Sequence, residues 1–388
     1  MEKRKMLLKG HIISPIDSGE GKDILEIDGR SVTFIGPSGT LFPGSEHQIF
    51  DFGVNYICPG FINLHVHGSG GVDVMDNSYH ALDWMSRALA EGGTTSFLAT
   101  TMSAPRQELL EVVRTIANTG LRGTKGAQVI GAHLEGPFLN PGKKGAHKEE
   151  DLRPPDINEF KEYIDAGNGA VKMVTVAPEL PDIIPVIKFA RSRGVVVSLG
   201  HSVASIAQVD EAFAAGLSHV THAFNAMGGL HHRDLGTTGA IMSMKQLTAD
   251  VIPDGLHVHP SVIKILVQAK GIDRVCAITD CIRAGGMGNG IFEFGGRKVI
   301  VRDGAARLAD GTISGSVISM AEAVKTIVEK VGLSLNEAVK MASANPAGIL
   351  GLNSKGVLMP GKDADVVVLD RNFRVLMTIV AGKIVYQV

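Results

Sequence analysis

From residue 59 onward the chain alternates between short apolar, β-branched runs and stretches whose apolar residues recur at helical spacing. The runs at 61–67, 94–101, 128–134, 171–177, 195–200, 218–223, 247–252 and 275–279 predict eight strands. Helical periodicity between them predicts helices over 79–91, 106–117, 159–166, 183–193, 206–215 and 260–270. Strand–helix alternation repeated in this way implies a parallel sheet, and eight such units close into a (β/α)8 TIM-like barrel of the α/β class. Both flanks have a different texture. The first sixty residues carry short strand-like runs (M-L-L-K-G-H-I-I, D-I-L-E-I-D-G-R, S-V-T-F-I-G-P) broken by Gly and Pro. After the eighth strand come a β-like stretch at 291–301, a turn at Asp310-Gly311-Thr312 and two further helices, the last over 334–350. The tail returns to strands in D-A-D-V-V-V-L-D and R-V-L-M-T-I-V-A-G-K-I-V-Y. These ends predict one small β-sandwich domain built from residues 1–58 and 357–388, flanking the barrel at 59–356.

Chemistry collects where the predicted barrel strands end. His65 and His67 are two apart in a strand, so they project to one face, and the C-terminal end of a barrel strand opens onto the mouth. An H-x-H pair alone is as compatible with an ordinary strand end as with a metal site. Glu135, His201 and His222 at the exits of strands three, five and six change that balance. A random scatter of 14 histidines would not favour these positions. Imidazoles and a carboxylate in such a set bind divalent transition metals. Glu135 precedes Gly136-Pro137, and its two oxygens could serve two cations where a neutral imidazole serves one. His219, three residues before His222, has the opposite strand parity, so only His222 is expected to face inward. Asp280 ends strand eight, placed to take a proton from an attacking water and return it to a leaving group. His11, His47 and His80 lie away from the strand exits and read as surface residues, and Lys143 and Lys144 as a solvated loop.

Composition adds exclusions. A net charge of −2 gives no reason to expect nucleic acid or an anionic membrane as partner. No apolar run approaches the ~20 residues of a membrane span. The basic opening M-E-K-R-K lacks a following apolar segment and does not read as a secretory leader. Three cysteines form no disulfide framework, which suits a reducing cytoplasm.

The motifs P-G-F-I-N-L-H-V-H-G, H-L-E-G-P-F-L-N-P-G-K-K-G-A-H, G-H-S, T-H-A-F-N-A-M, D-G-L-H-V-H-P, I-T-D and G-T-I-S-G-S resemble the amidohydrolase superfamily. More narrowly, they are similar to its N-acetylglucosamine-6-phosphate deacetylases, over nearly the whole chain. The resemblance implies a metal-dependent hydrolase with Glu135, His201 and His222 as metal ligands. Because His65 and His67 are both kept, it implies one or two divalent ions per subunit, Zn2+ or Fe2+. No lysine ends strand four, so a carboxylated-lysine bridge is not expected. By the same resemblance Ala146 and His147 would contact the sugar or acetyl carbonyl. Asn225, Ala226, Arg233 and His257 would read the phosphate, and Ile313 and Ser314 would close over the sugar. The partner implied is a small phosphorylated amino sugar, and the assembly a homodimer, or a tetramer built from dimers, with Arg233 or His257 acting across the interface. Other readings are the galactosamine epimer as substrate, another amidohydrolase acting on cyclic amides, D-amino-acid derivatives or N-acyl amino acids, and a non-catalytic barrel scaffold.

Overall fold

The computed structural model describes residues 5–16, 21–41 and 43–388; residues 1–4 of the basic opening stretch lie outside them. The barrel strands are β1 (Phe61–Val66), β2 (Thr94–Thr101), β3 (Gln128–Glu135), β4 (Val171–Val176), β5 (Val196–Leu199), β6 (Leu217–Val220), β7 (Ala249–Val251) and β8 (Val275–Ala277). β1 to β6 form one continuous parallel sheet in chain order, and β7 pairs with β8. Sparse links close the ring. The Ala223 N–H donates to the Asp250 carbonyl at 2.9 Å, tying β6 to β7. The Asp280 N–H donates to the His65 carbonyl at 3.0 Å, tying β8 to β1.

The helices are α1 (Tyr79–Glu91), α2 (Arg106–Arg122), α3 (Ile157–Gly167), α4 (Ile183–Ser192), α5 (Ile206–Ala215), α6 (Gly236–Ser243) and α7 (Pro260–Lys270). Period-two alternation divides each strand between two environments. Val174, Val176, Val197 and Leu199 share an apolar cluster with Val186, Ile187 and Val209 of the helices. Each such side chain is worth ~1.5–3 kcal/mol when fully buried. Their alternates Thr175 and Ser198 meet Thr221 through hydroxyl hydrogen bonds, forming a polar layer beneath the mouth.

The terminal segments form one seven-stranded sheet, in spatial order Lys383–Gln387, Val375–Val380, Val366–Leu369, His47–Pro59, Lys5–Ile12, Ile24–Asp28 and Ser31–Gly36. It curls on itself. Ile27 and Val32 from one edge share a core with Met377 and Ile379 from the other. Gly382, at a φ of 71°, lies so near the Gly29 carbonyl that a Cβ there would overlap it. This closure gives the sandwich-like body expected from the two ends. The strand His47–Pro59 runs through Gly60 into β1, so the sheet is continuous with the barrel.

Three expectations need correction. The helix expected over 334–350 is two, Leu335–Ala342 and Ala344–Ile349. Pro346 has no N–H for the Ala342 carbonyl, so the ladder breaks between them, at Ser343. α6 was not among the predicted helices. His47 is not a surface residue: its side chain is 3% exposed, with Nε2 2.8 Å from Glu26 Oε1.

Candidate active site

Strand ends carry the site, and the backbone bends sharply to present it. His201, His222, Ala226 and Asp280 have φ of 49°, 31°, 51° and 48°, a left-handed conformation costly for residues with a Cβ. That bend takes His222 out of strand parity. Both His219 and His222 are buried, but only His222 turns to Glu135, as the sequence led one to expect. His219 bonds sideways to Thr248 Oγ1 at 2.8 Å and Asp250 Oδ2 at 3.1 Å, while the other Asp250 oxygen accepts the His222 N–H.

Glu135 lies at the centre. Its Oε1 is 3.2 Å from His201 Nε2 and 2.9 Å from His222 Nε2. Its Oε2 is 3.2 Å from His67 Nε2 and 3.3 Å from His147 Nε2. His65 and His67 Nε2 atoms are 3.0 Å apart, each 3.3 Å from Asp280 Oδ1. Side chains from five strand ends, with His147 from a loop, thus converge within one buried volume. A cavity of about 420 Å3 opens above them, lined also by Ala146, Asn225, Ala226, His257, Ile313 and Ser314.

The imidazoles differ in where their protons sit. His201 Nδ1 is 2.7 Å from the Lys143 carbonyl and His67 Nδ1 is 3.2 Å from the Thr100 carbonyl. A carbonyl oxygen only accepts, so both rings carry a proton on Nδ1 and turn Nε2 towards the carboxylates. A neutral ring in that pose sets lone pair against lone pair unless a cation lies between them. His147 is reversed: its Nδ1 accepts the Ser103 N–H at 3.1 Å, so its proton lies on Nε2. A ring protonated there is a donor, not a ligand, although His147 stands within ligand distance of Glu135 and His201. Burial lowers the His147 pKa to about 4 against the pull of Glu135, which keeps the ring neutral.

Electrostatics favour a cation at the other rings. Burial would lower His67, but hydrogen bonds to Asp280 and Glu135 raise it to about 10. His222 rises to about 9 by the same contest with Glu135. Burial would raise Glu135, yet the charge on His65 and hydrogen bonds from His147, His201 and His222 hold it well below the carboxylate range. Asp280, opposed in the same way by burial, His65 and His67, falls to about 2. A field that draws protons so strongly onto imidazoles suits a divalent cation, and the donor set His65, His67, Glu135, His201 and His222 fits one.

Arg233 is not brought to the cavity: it is exposed, 3.0 Å from the neighbouring His232 ring. His257 is, with its Nδ1 held 2.6 Å from Asp254 Oδ2. Lys143 and Lys144 are half-buried at the rim rather than fully solvated. Sequence reasoning missed His133, fully buried with its ring 4.8 Å from that of His65 and Nε2 2.7 Å from Thr175 Oγ1. Its place two residues before Glu135 on one strand face was the available signal. Asp250, Met102 and Phe294 offered none.

Residues 56–385 match the amidohydrolase family. The chain belongs to that family. Among its relatives, the N-acetylglucosamine-6-phosphate deacetylase of Bacillus subtilis (strain 168) is 38% identical over 334 residues, spanning 85% of this chain and 84% of that one. The N-acetylgalactosamine-6-phosphate deacetylase of Escherichia coli O157:H7 is 38% identical over 329 residues, 84% of this chain and 87% of its own. The solved N-acetylglucosamine-6-phosphate deacetylase of Pasteurella multocida superposes with a TM-score of 0.92 at 32% identity, covering 98% of this chain and 99% of that one.

Proposed function

We propose that this chain is a metal-dependent hydrolase that converts N-acetyl-D-glucosamine 6-phosphate to D-glucosamine 6-phosphate and acetate, in amino-sugar catabolism or cell-wall recycling. The observation that carries this reading is Glu135 set between two groups of imidazoles with Asp280 facing them, in a chain 38% identical to a deacetylase of that specificity. His65, His67, Glu135, His201 and His222 would hold one or two ions, Zn2+ or Fe2+, since histidine and carboxylate donors accept either. When bound, the cation supplies Lewis acidity towards a carbonyl oxygen and acidifies water.

The protein's own groups do the rest. Asp280, ionised at neutral pH, accepts a proton from the water that adds to the amide carbon. The C–N bond then breaks as Asp280 returns that proton to the departing amine. His147 donates its Nε2–H to the acetyl oxygen or to the sugar. Asn225, Ala226 and His257 meet the phosphate, Ala146 packs on the sugar, and Ile313 and Ser314 cover it. Arg233, outside the cavity of its own chain, serves the phosphate of a neighbouring subunit in a homodimer or a dimer-based tetramer. The described residues of 1–58, together with 357–388, make up the sandwich domain, and 59–356 the catalytic domain. Among the described residues no helix is long and apolar enough to cross a membrane. The three cysteines, all free, suit the cytoplasm.

The galactosamine epimer is the second reading, favoured by the equal identity to the Escherichia coli relative. Acetate release from both phosphorylated sugars, with and without chelator, tests the proposal. Chelator-sensitive turnover with preference for the glucosamine substrate is expected. Turnover that survives complete metal removal would refute it, and preference for the other sugar would select the epimer.

A further inference from the structure

One wall of the cavity has no task in the proposed deacetylation, and the role assigned to it here rests on that reaction. Met102 stands just past the end of β2 and Phe294 ends the strand Gly290–Phe294, and both are 3% exposed. Both line the cavity beside His67, Glu135 and Asp280. The Phe294 ring meets the His67 ring edge-on, centroids 5.0 Å apart at 63°. With Ile282 and Val299 the two residues form one apolar cluster, against which Ala146 packs.

Phe294 belongs to a three-stranded antiparallel insert after β8, formed by Gly290–Phe294, Arg297–Arg302 and Ala305–Arg307. The insert is fastened at two places. At its first turn, a Cβ on Gly295 would lie 3.2 Å from the terminal methyl of Met102 and 3.6 Å from the Ala146 carbonyl. At its third strand, the Ala306 carbonyl accepts the Ser314 N–H at 3.0 Å. The insert thus lies close against Met102 and Ala146 at one end and is hydrogen-bonded to Ser314 at the other, with the Phe294 ring packed on His67.

Barrel order gives the direction in which a substrate lies. In a closed ring of eight strands the second stands across from the sixth. Asn225 and Ala226 follow β6, and His257 follows β7. A substrate with its phosphate at that rim and its amide carbon between Glu135 and Asp280 directs its acyl group at Met102 and Phe294. Burying a methyl on this surface is favourable, whereas a longer chain would have to displace a ring already packed on Met102 and Val299.

We infer that Phe294 and Met102 form the acyl-binding wall of the site and limit the acyl group to acetyl over longer chains. The test compares kcat/KM for N-acetyl-, N-propanoyl- and N-butanoyl-glucosamine 6-phosphate in the metal-loaded chain and in its Phe294→Ala and Met102→Ala variants. The unaltered chain should disfavour propanoyl by roughly 10- to 200-fold, the span that one methylene commands in an apolar pocket. Each variant should shrink that preference by about tenfold or more, as a void opens where the longer chain must go. Two substitutions on separate elements keep the test open should one of them fail to fold. An acetyl-to-propanoyl ratio unchanged in both variants, with acetate still released, would overturn the inference and leave deacetylation standing. If the unaltered chain released acid from none of the three substrates, the deacetylase reading itself would fall, and the acyl wall with it.

Discussion

His147 and His201 stand with ring centroids 4.9 Å apart, yet they carry their protons at opposite ends. The Lys143 carbonyl decides one and the Ser103 N–H decides the other. Neighbouring backbone thus separates the proposed ligand His201 from the proposed donor His147 where proximity to Glu135 does not. Glu135 and Asp280 differ similarly, because Glu135 meets both imidazole groups while Asp280 touches only His65 and His67. Glu135→Gln should therefore strip the centre of metal, measured by elemental analysis of the purified chain. Asp280→Asn should keep most of the metal and lose ~10²–10⁴ in kcat, the usual worth of a positioned acid–base group. Full metal content in the first variant, or a near-native rate in the second, would contradict these roles. The six central residues were legible because each is a polar side chain closing an apolar run. His133 was overlooked despite a legible parity with Glu135. Asp250 steadies the His222 backbone from the next strand, a contact that no spacing along one chain reveals.

At the scale of elements, period and punctuation placed all eight barrel strands and six of the helices around them. They erred where backbone leaves regular geometry. β5, β6 and β8 stop short of His201, His222 and Asp280, whose own backbone is left-handed. α6 escaped notice because Gly-Thr-Thr-Gly has little intrinsic helical preference, and burial rather than propensity stabilises it. Its C-terminal end is held by Lys270 of α7, whose Nζ donates to the Ile241 carbonyl at 2.7 Å and the Met244 carbonyl at 3.0 Å. Burial, helped by the charge of Arg274, lowers Lys270 from 10.5 to about 8. Between those values the unfolded chain holds this proton more tightly than the folded chain does. This residue's contribution to stability therefore rises with pH across the window from about 8 to 10.5. In Lys270→Met that rise should be missing when urea midpoints are compared across the same range. Parallel curves for the two proteins would show that the buried amine does not titrate in this way.

Across the whole molecule, the proposed metal ligands come from the ends of β1, β3, β5 and β6, so a cation there would link distant parts of the chain. A ligand that binds only the folded state adds about 2.7 kcal/mol at roughly a hundred times its Kd. Added Zn2+ or Fe2+ should accordingly raise the melting temperature of the metal-stripped protein, as followed by calorimetry, and should leave that of Glu135→Gln unmoved. An equal shift in both proteins would place the stabilising ion elsewhere. The seven-stranded sheet was partly visible in the strand-like texture of both ends. Its order was not, because pairing of His47–Pro59 with Val366–Leu369 joins positions some three hundred residues apart, and alternation within a run names no partner.

That pairing sets a schedule for synthesis. The stretch Tyr56–Pro59 leaves the ribosome some three hundred residues ahead of its partner, and its flank stays open until residues 366–369 follow. An unpaired strand edge is a template for association with other chains. Nascent copies must therefore carry this exposed flank while the whole barrel between the two strands is made, and residues 366–369 seal it.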